Sequence, residues 1–159
     1  MKKVLFSLFM IGTLSVLSGC EKVEEQGKYK EGTYFGYAQE ESYGEILTTT
    51  SVIYVDENGM LKSVFIDSTY IKDDKVTTKK ALGDDYGMKE TSANIGVIPG
   101  GAEWDEQINT LEKKIVEEQG TDWIKWSSDD NTKLDSVSGV TISADTIIKS
   151  VENALNKAK

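Results

Sequence analysis

Thr141 closes the stretch Asp135-Ser136-Val137-Ser138-Gly139-Val140-Thr141, and an amphipathic run starts two residues later. A hydroxyl at that point borders a helix N-terminus. Unpaired backbone N–H groups and partial positive charge make such an end a phosphate site. Gly139 allows close approach of the backbone, with no Cβ in the way. Ser138 and Ser143 each offer a hydroxyl that can donate to a phosphate oxygen. Asp135 is a poor direct partner for phosphate, because like charges repel. The segment thus suits a phosphate-bearing group held at Thr141. A plain strand–turn–helix junction with a Ser/Thr-rich cap has the same composition and is the alternative.

Other chemistry is scarce. The 159 residues include no His and one Cys. Common zinc sites and His-based acyl transfer are therefore excluded, and no catalytic residue is assigned. Asp and Glu outnumber Lys and Arg, 27 to 18, for a formal net charge of −9. A nucleic-acid partner demands a basic footprint, so this balance argues against one. It also argues against docking on anionic lipid by charge. The pairs Asp73-Asp74, Asp84-Asp85 and Asp129-Asp130 lack the Gly-punctuated spacing of a calcium loop and read as solvated loops; no metal site is assigned.

The lone cysteine belongs to the N-terminus. Met1-Lys2-Lys3 is basic, Val4 to Val16 is mostly apolar, and Leu17-Ser18-Gly19-Cys20 follows. That order reads as a secretory signal over 1–19, and its end resembles a lipobox, in which Cys20 is acylated and becomes the first residue. The apolar run is too short and too broken for a good membrane span. The expected location is the extracytoplasmic face of the cell membrane, with the bilayer holding the lipid on Cys20. Loss of Lys2 and Lys3 takes the charge from −9 to −11. Residues 20–28 read as a lipidated tether. Its last eight residues span at most roughly 30 Å. Residues 29–159 read as one domain, large enough for a core of its own.

Several elements must position the attachment segment. Thr33 to Tyr37 reads as a first strand. Ile46 to Val55 is the clearest strand, Asp56-Glu57-Asn58-Gly59 a turn, and Leu61 to Ile66 the returning strand of a hairpin. Alternation puts Leu61, Ser63 and Phe65 on one side and Lys62, Val64 and Ile66 on the other, as in a sheet partly covered on both faces. Thr69 to Lys80 reads as irregular. Trp104, Ile108, Leu111 and Ile115 recur at helical spacing, and Gly120 stops that helix. Trp123 to Trp126 reads as a short strand. The last helix runs from about Ser143, its expected N-cap, with Asp145 in the first turn and Ile147, Ile148, Val151, Ala154 and Leu155 on its apolar face. The expected fold class is α+β: a small, twisted, mostly antiparallel sheet packed with two or more helices.

The segment ending at Thr141 resembles the attachment motif of the FMN-binding domain family, where an acidic residue leads Ser/Thr-Gly-Ala-Thr. Lys28-Tyr-Lys-Glu-Gly-Thr-Tyr34 resembles the opening strand of single-domain members. Trp104-Asp-Glu-Gln107-Ile108 resembles a Trp-x-x-Gln-aromatic element of the Rnf and sodium-pumping NADH:quinone oxidoreductase subunits, with Ile108 in place of the aromatic. The resemblance implies an FMN-binding-domain-like fold and one FMN in a phosphoester on Thr141, joined by a flavin transferase. In the family Asp135 would belong to the pattern the transferase requires. It further implies an electron carrier rather than an enzyme with turnover of its own, fed by a membrane quinone-linked donor and active in extracellular electron transfer. The chain departs from the family at Val140, where Ala is usual; a bulkier, β-branched residue crowds the turn or the transferase pocket. Leu82, Tyr86, Met88 and Trp104 are candidates to line the ring slot, against core packing for each. A non-redox surface lipoprotein that uses the fold for ligand binding or adhesion is the alternative, and a metal- or solute-binding lipoprotein a third.

Overall fold

The computed structural model describes residues 26–42, 44–127, 132–135 and 137–159. The signal segment, Cys20, most of the tether and the Asp129-Asp130 pair lie outside the described residues.

Four strands form an antiparallel meander in the order β1-β2-β3-β4: β1 Gly32–Ser42, β2 Glu45–Val55, β3 Leu61–Lys72 and β4 Lys75–Thr78. The turn between β2 and β3 is built by Asp56, whose Oδ1 accepts the N–H groups of Asn58 and Met60 at 3.0 and 2.9 Å. The end of β3, β4 and the first two residues of a helix replace the irregular segment expected over 69–80, with Thr69 paired to Thr78 and Lys72 to Lys75. The β3–β4 turn uses Asp73 and Asp74 at φ 51° and 59°. Aspartate tolerates the left-handed region, so this hairpin closes without the glycine that usually signals one.

The register between β2 and β3 shifts at Tyr54/Val55, where Tyr54 pairs with Ser63 and Val55 with Leu61. Lys62 is the extra residue, and such a bulge breaks the two-residue alternation. Leu61, Val64 and Ile66 therefore all turn inward, while Phe65 is exposed. This corrects the simple alternation read from the sequence. One face of the sheet is covered. On the other, Phe35, Val52 and Phe65 stand in one row across three strands, all exposed.

The helices are α1 Lys79–Leu82, α2 Lys89–Ile95, α3 Trp104–Glu117 and α4 Asp145–Leu155, with a 3₁₀ turn at Gly83–Tyr86 between the first two. Trp123 to Trp126 contributes only an isolated bridge, Trp126 to Leu134, rather than a strand. Among the described residues no helix is long and apolar enough to cross a membrane. The class is α+β, with α3 lying against β3 and α4 against β1 and β2.

Both long helices bury the stripes expected of them. From α3 these are Trp104, Ile108, Leu111 and Ile115; from α4 they are Ile147, Ile148, Val151, Ala154 and Leu155. Full burial of each large aliphatic side chain favours folding by about 1.5–3 kcal/mol. α4 sits unusually close to the sheet because small residues line the contact. A Cβ on Gly36 would lie 2.1 Å from the Ser150 carbonyl oxygen and 2.5 Å from the Ala154 nitrogen. Beside it, the buried hydroxyls of Ser51 and Ser150 share a short hydrogen bond.

Among the described residues the first half of β3 borders no strand besides β2. Gln119, at φ 55°, meets that edge with its side-chain amide: Leu61 N–H donates to Oε1 at 2.7 Å, and Nε2 donates to the Leu61 carbonyl at 2.9 Å. Farther along, Ile66 N–H donates to Glu112 Oε1 at 2.6 Å, and the same oxygen accepts from Lys80. Burial pushes the Glu112 carboxyl above its ordinary range despite those two partners.

Candidate functional site at the start of the last helix

The segment before α4 alternates in burial: Val140 and Ile142 are buried, and Thr141 between them is half-buried. This follows from an extended path over the core. Val140 belongs to that core, so its extra bulk relative to alanine is taken up inside the protein. Gly139 has φ 86°, and a Cβ there would meet nothing within 4 Å. Its role is the left-handed backbone of a turn rather than the close approach expected. α4 begins at Asp145 with Ala144 as N-cap and no side-chain cap bond, so Ser143 is not the cap. Asp145 does occupy the first turn and pairs with Lys149 at 2.9 Å.

Thr141 is held by one residue of α3. Gln107 Oε1 accepts the Thr141 N–H at 2.7 Å and its hydroxyl at 3.2 Å. Gln107 is itself 0 % exposed and anchors its Nε2 on the Ala102 carbonyl at 3.2 Å. A buried amide with its acceptor and a donor engaged is fixed in orientation. The threonine hydroxyl thus has a set position at the border of solvent.

Beside Thr141 lies a cleft of about 290 Å³. The residues that follow Thr141, Ile142 and Ser143, line it, as do Thr146 and Ile147 of α4. Lys79, Tyr86, Met88 and Trp104 line it from α1 to α3, and Glu40 to Ser42 with Thr49 complete it from the sheet. Thr146 donates to Glu40 Oε2 at 3.0 Å, tying α4 to the end of β1. The volume is near the lower end for a small-molecule cleft. Two aromatic rings, a thioether and a cation, together with hydroxyls, suit a flat ring system with polar edges.

Glu103 fixes the aromatic wall. Its buried carboxylate caps α3 and accepts the N–H groups of Met88 and Lys89 at 2.8 and 2.9 Å. One side chain therefore sets both the start of α3, where Trp104 stands, and the position of Met88. Lys79 lies over the rings of Trp104 and Tyr86, 5.4 and 5.5 Å from their centres. Burial pushes its pKa below the ordinary lysine value, against the opposing pull of Glu40 and Asp67.

Of the residues singled out in the sequence, the structure gathers Ser143, Trp104, Tyr86 and Met88 in the lining of this cleft; Thr141 is not part of the lining but directly precedes Ile142, which is. Trp104 is both core and lining, at 2 % exposure. Leu82 is half-buried on α1 and lies outside the lining. Ser138 borders a different groove, with Thr110, Lys113 and Lys114. Asp135 is exposed, and its N–H donates to the Lys125 carbonyl at 2.9 Å. Sequence reasoning missed Lys79, Glu40, Glu103 and the hold of Gln107 on Thr141. A glutamate at an N-cap with glutamate three residues on, as at Glu103 and Glu106, was the one local signal available. Comparison of the chain with family models, with curated proteins and with solved structures returned no match.

Proposed function

We propose that this chain carries one FMN, joined to the Thr141 hydroxyl by a phosphoester and seated with its ring in the adjacent cleft, and that it transfers electrons. The observation that carries this reading is a juxtaposition. The motif-like segment ends in a fixed, half-exposed threonine whose next residues line a cleft walled by Trp104, Tyr86, Met88 and Lys79. FMN, when bound, supplies reversible uptake of electrons.

The chain's own residues have simpler tasks. Gln107 orients Thr141. The start of α4, which lacks a side-chain cap, offers backbone N–H groups and the positive end of the helix dipole toward a phosphate. Tyr86 and Met88 offer apolar surface to a ring, with Trp104 behind them, and Ser42 and Ser143 offer hydroxyls to its polar edges. The donor set fits the group. In this reading Cys20 is acylated, the domain stands on the extracytoplasmic face of the membrane, a flavin transferase makes the phosphoester, and the donor is quinone-linked.

The test is intact mass and visible absorbance of the exported protein made together with a flavin transferase. The expected mass gain is one FMN less one water, with a flavin spectrum that survives denaturation. Thr141→Ala is expected to lose both. A colourless wild-type protein of unmodified mass under those conditions would sink the reading.

A further inference from the structure

The cleft lining carries three charged side chains: Glu40, Glu41 and Lys79. Lys79 is the only cation among them. Its ammonium is clamped between two aromatic faces. Among the described residues it makes no hydrogen bond and no ion pair. The two acids that act on it are engaged elsewhere: Glu40 accepts from Thr146, and Asp67 accepts the N–H groups of Ser68 and Lys80. A half-buried cation without a direct partner is costly, and an anionic or carbonyl-bearing ligand edge would relieve that cost. The other two charged groups of the lining, Glu40 and Glu41, are carboxylates and would repel an anionic edge.

We infer that Lys79 is the positioning residue for the cofactor ring, donating to its carbonyl edge and stabilising the negative charge that this edge gains on reduction. The inference rests on the reading of the cleft as an FMN site. It assigns a direction to the ring: the carbonyl edge toward α1, and the phosphate-bearing tail toward Thr141. It also makes the charge of Lys79 a determinant of how readily the protein accepts electrons. With dithionite as reductant, two electrons from it and one proton from water enter the ring, which keeps one negative charge opposite the ammonium.

The experiment compares FMN-loaded wild type, Lys79→Met and Lys79→Arg by spectroelectrochemical titration at neutral pH, with Lys62→Met as a surface control. Lys79→Met removes the charge and keeps most of the length. Its flavin content by mass is expected to match wild type, while the equilibrium constant for reduction falls at least tenfold, a shift of about 30 mV to more negative potential. Lys79→Arg is expected to keep most of the wild-type potential, and Lys62→Met all of it. Near-ultraviolet circular dichroism checks that each variant is folded. A folded, fully loaded Lys79→Met protein with the wild-type potential overturns the inference and leaves the FMN reading standing. A wild-type protein without flavin overturns both.

Discussion

Gln107 does two jobs at the scale of single residues. It is a core residue, fully enclosed, and it is the sole side chain seen to hold Thr141 by both its N–H and its hydroxyl. Replacement by leucine keeps the volume but strands a part-buried N–H at Thr141 and a part-buried carbonyl at Ala102. An unsatisfied buried group costs about 1–3 kcal/mol. Gln107→Leu is therefore expected to lower stability to urea by that order and, on the FMN proposal, to reduce the fraction of chains modified at Thr141 under limiting transferase. Denaturation followed by circular dichroism and intact mass of the same preparation check the two effects separately. Unchanged stability together with full modification would show that the hold on Thr141 is incidental. The sequence displayed Gln107 only as part of a pattern; its partner is 34 positions away, and nothing local points to it.

Among the elements, α4 and β1 meet where side chains are smallest. Gly36, Ser51, Ser150 and Ala154 let a helix backbone rest almost on a strand. Gly36→Ala would place a carbon well inside contact distance of rigid backbone atoms, and overpacking of this kind costs about 1–3 kcal/mol or more. The expected result is a lower thermal midpoint, with the change transmitted to the N-terminal end of α4 and hence to the cleft. Thr33→Ala on the exposed face of the same strand is expected to shift it little. Equal midpoints for the two variants would contradict the close contact.

The same elements show what was legible beforehand. The stripes of α3 and α4 and the run of β-branched residues in β2 announce themselves by period, because each packs along its whole length on one surface. The inward turn of Leu61 and Val64 does not, because a single bulge at Lys62 resets the alternation. Nor does the β3–β4 hairpin, because two aspartates take the turn conformation that glycine normally marks. The cleft is least legible of all. Glu40, Lys79, Trp104 and Ser143 come from four separate stretches, and only the packing of α3 and α4 on one face brings them together.

For the whole molecule, the charge of Lys79 becomes a property of global stability. Its folded-state pKa lies below the ordinary 10.5. Between that lowered value and about 10.5 the unfolded chain binds more protons at this position than the folded one, so this contribution to stability rises with pH across that window. Below it, the folded protein bears the full cost of a desolvated ammonium. Lys79→Met in the flavin-free protein is thus expected to be more stable than wild type near neutral pH. The difference between the two should shrink as pH climbs through the window. Urea denaturation of both proteins at several alkaline pH values measures it. A wild-type protein that is the more stable at neutral pH would show that the burial of Lys79 carries no penalty.

The amide of Gln119 on Leu61 has a consequence for molecules in company. A sheet border with open N–H and C=O groups is a template on which another chain can lay a strand. Here one side chain supplies the donor and acceptor that a neighbouring strand would bring, and Glu112 occupies the N–H of Ile66 farther along. Among the described residues that stretch of β3 meets side chains in place of a further strand. A neighbouring chain would then find less to pair with along this stretch of the border.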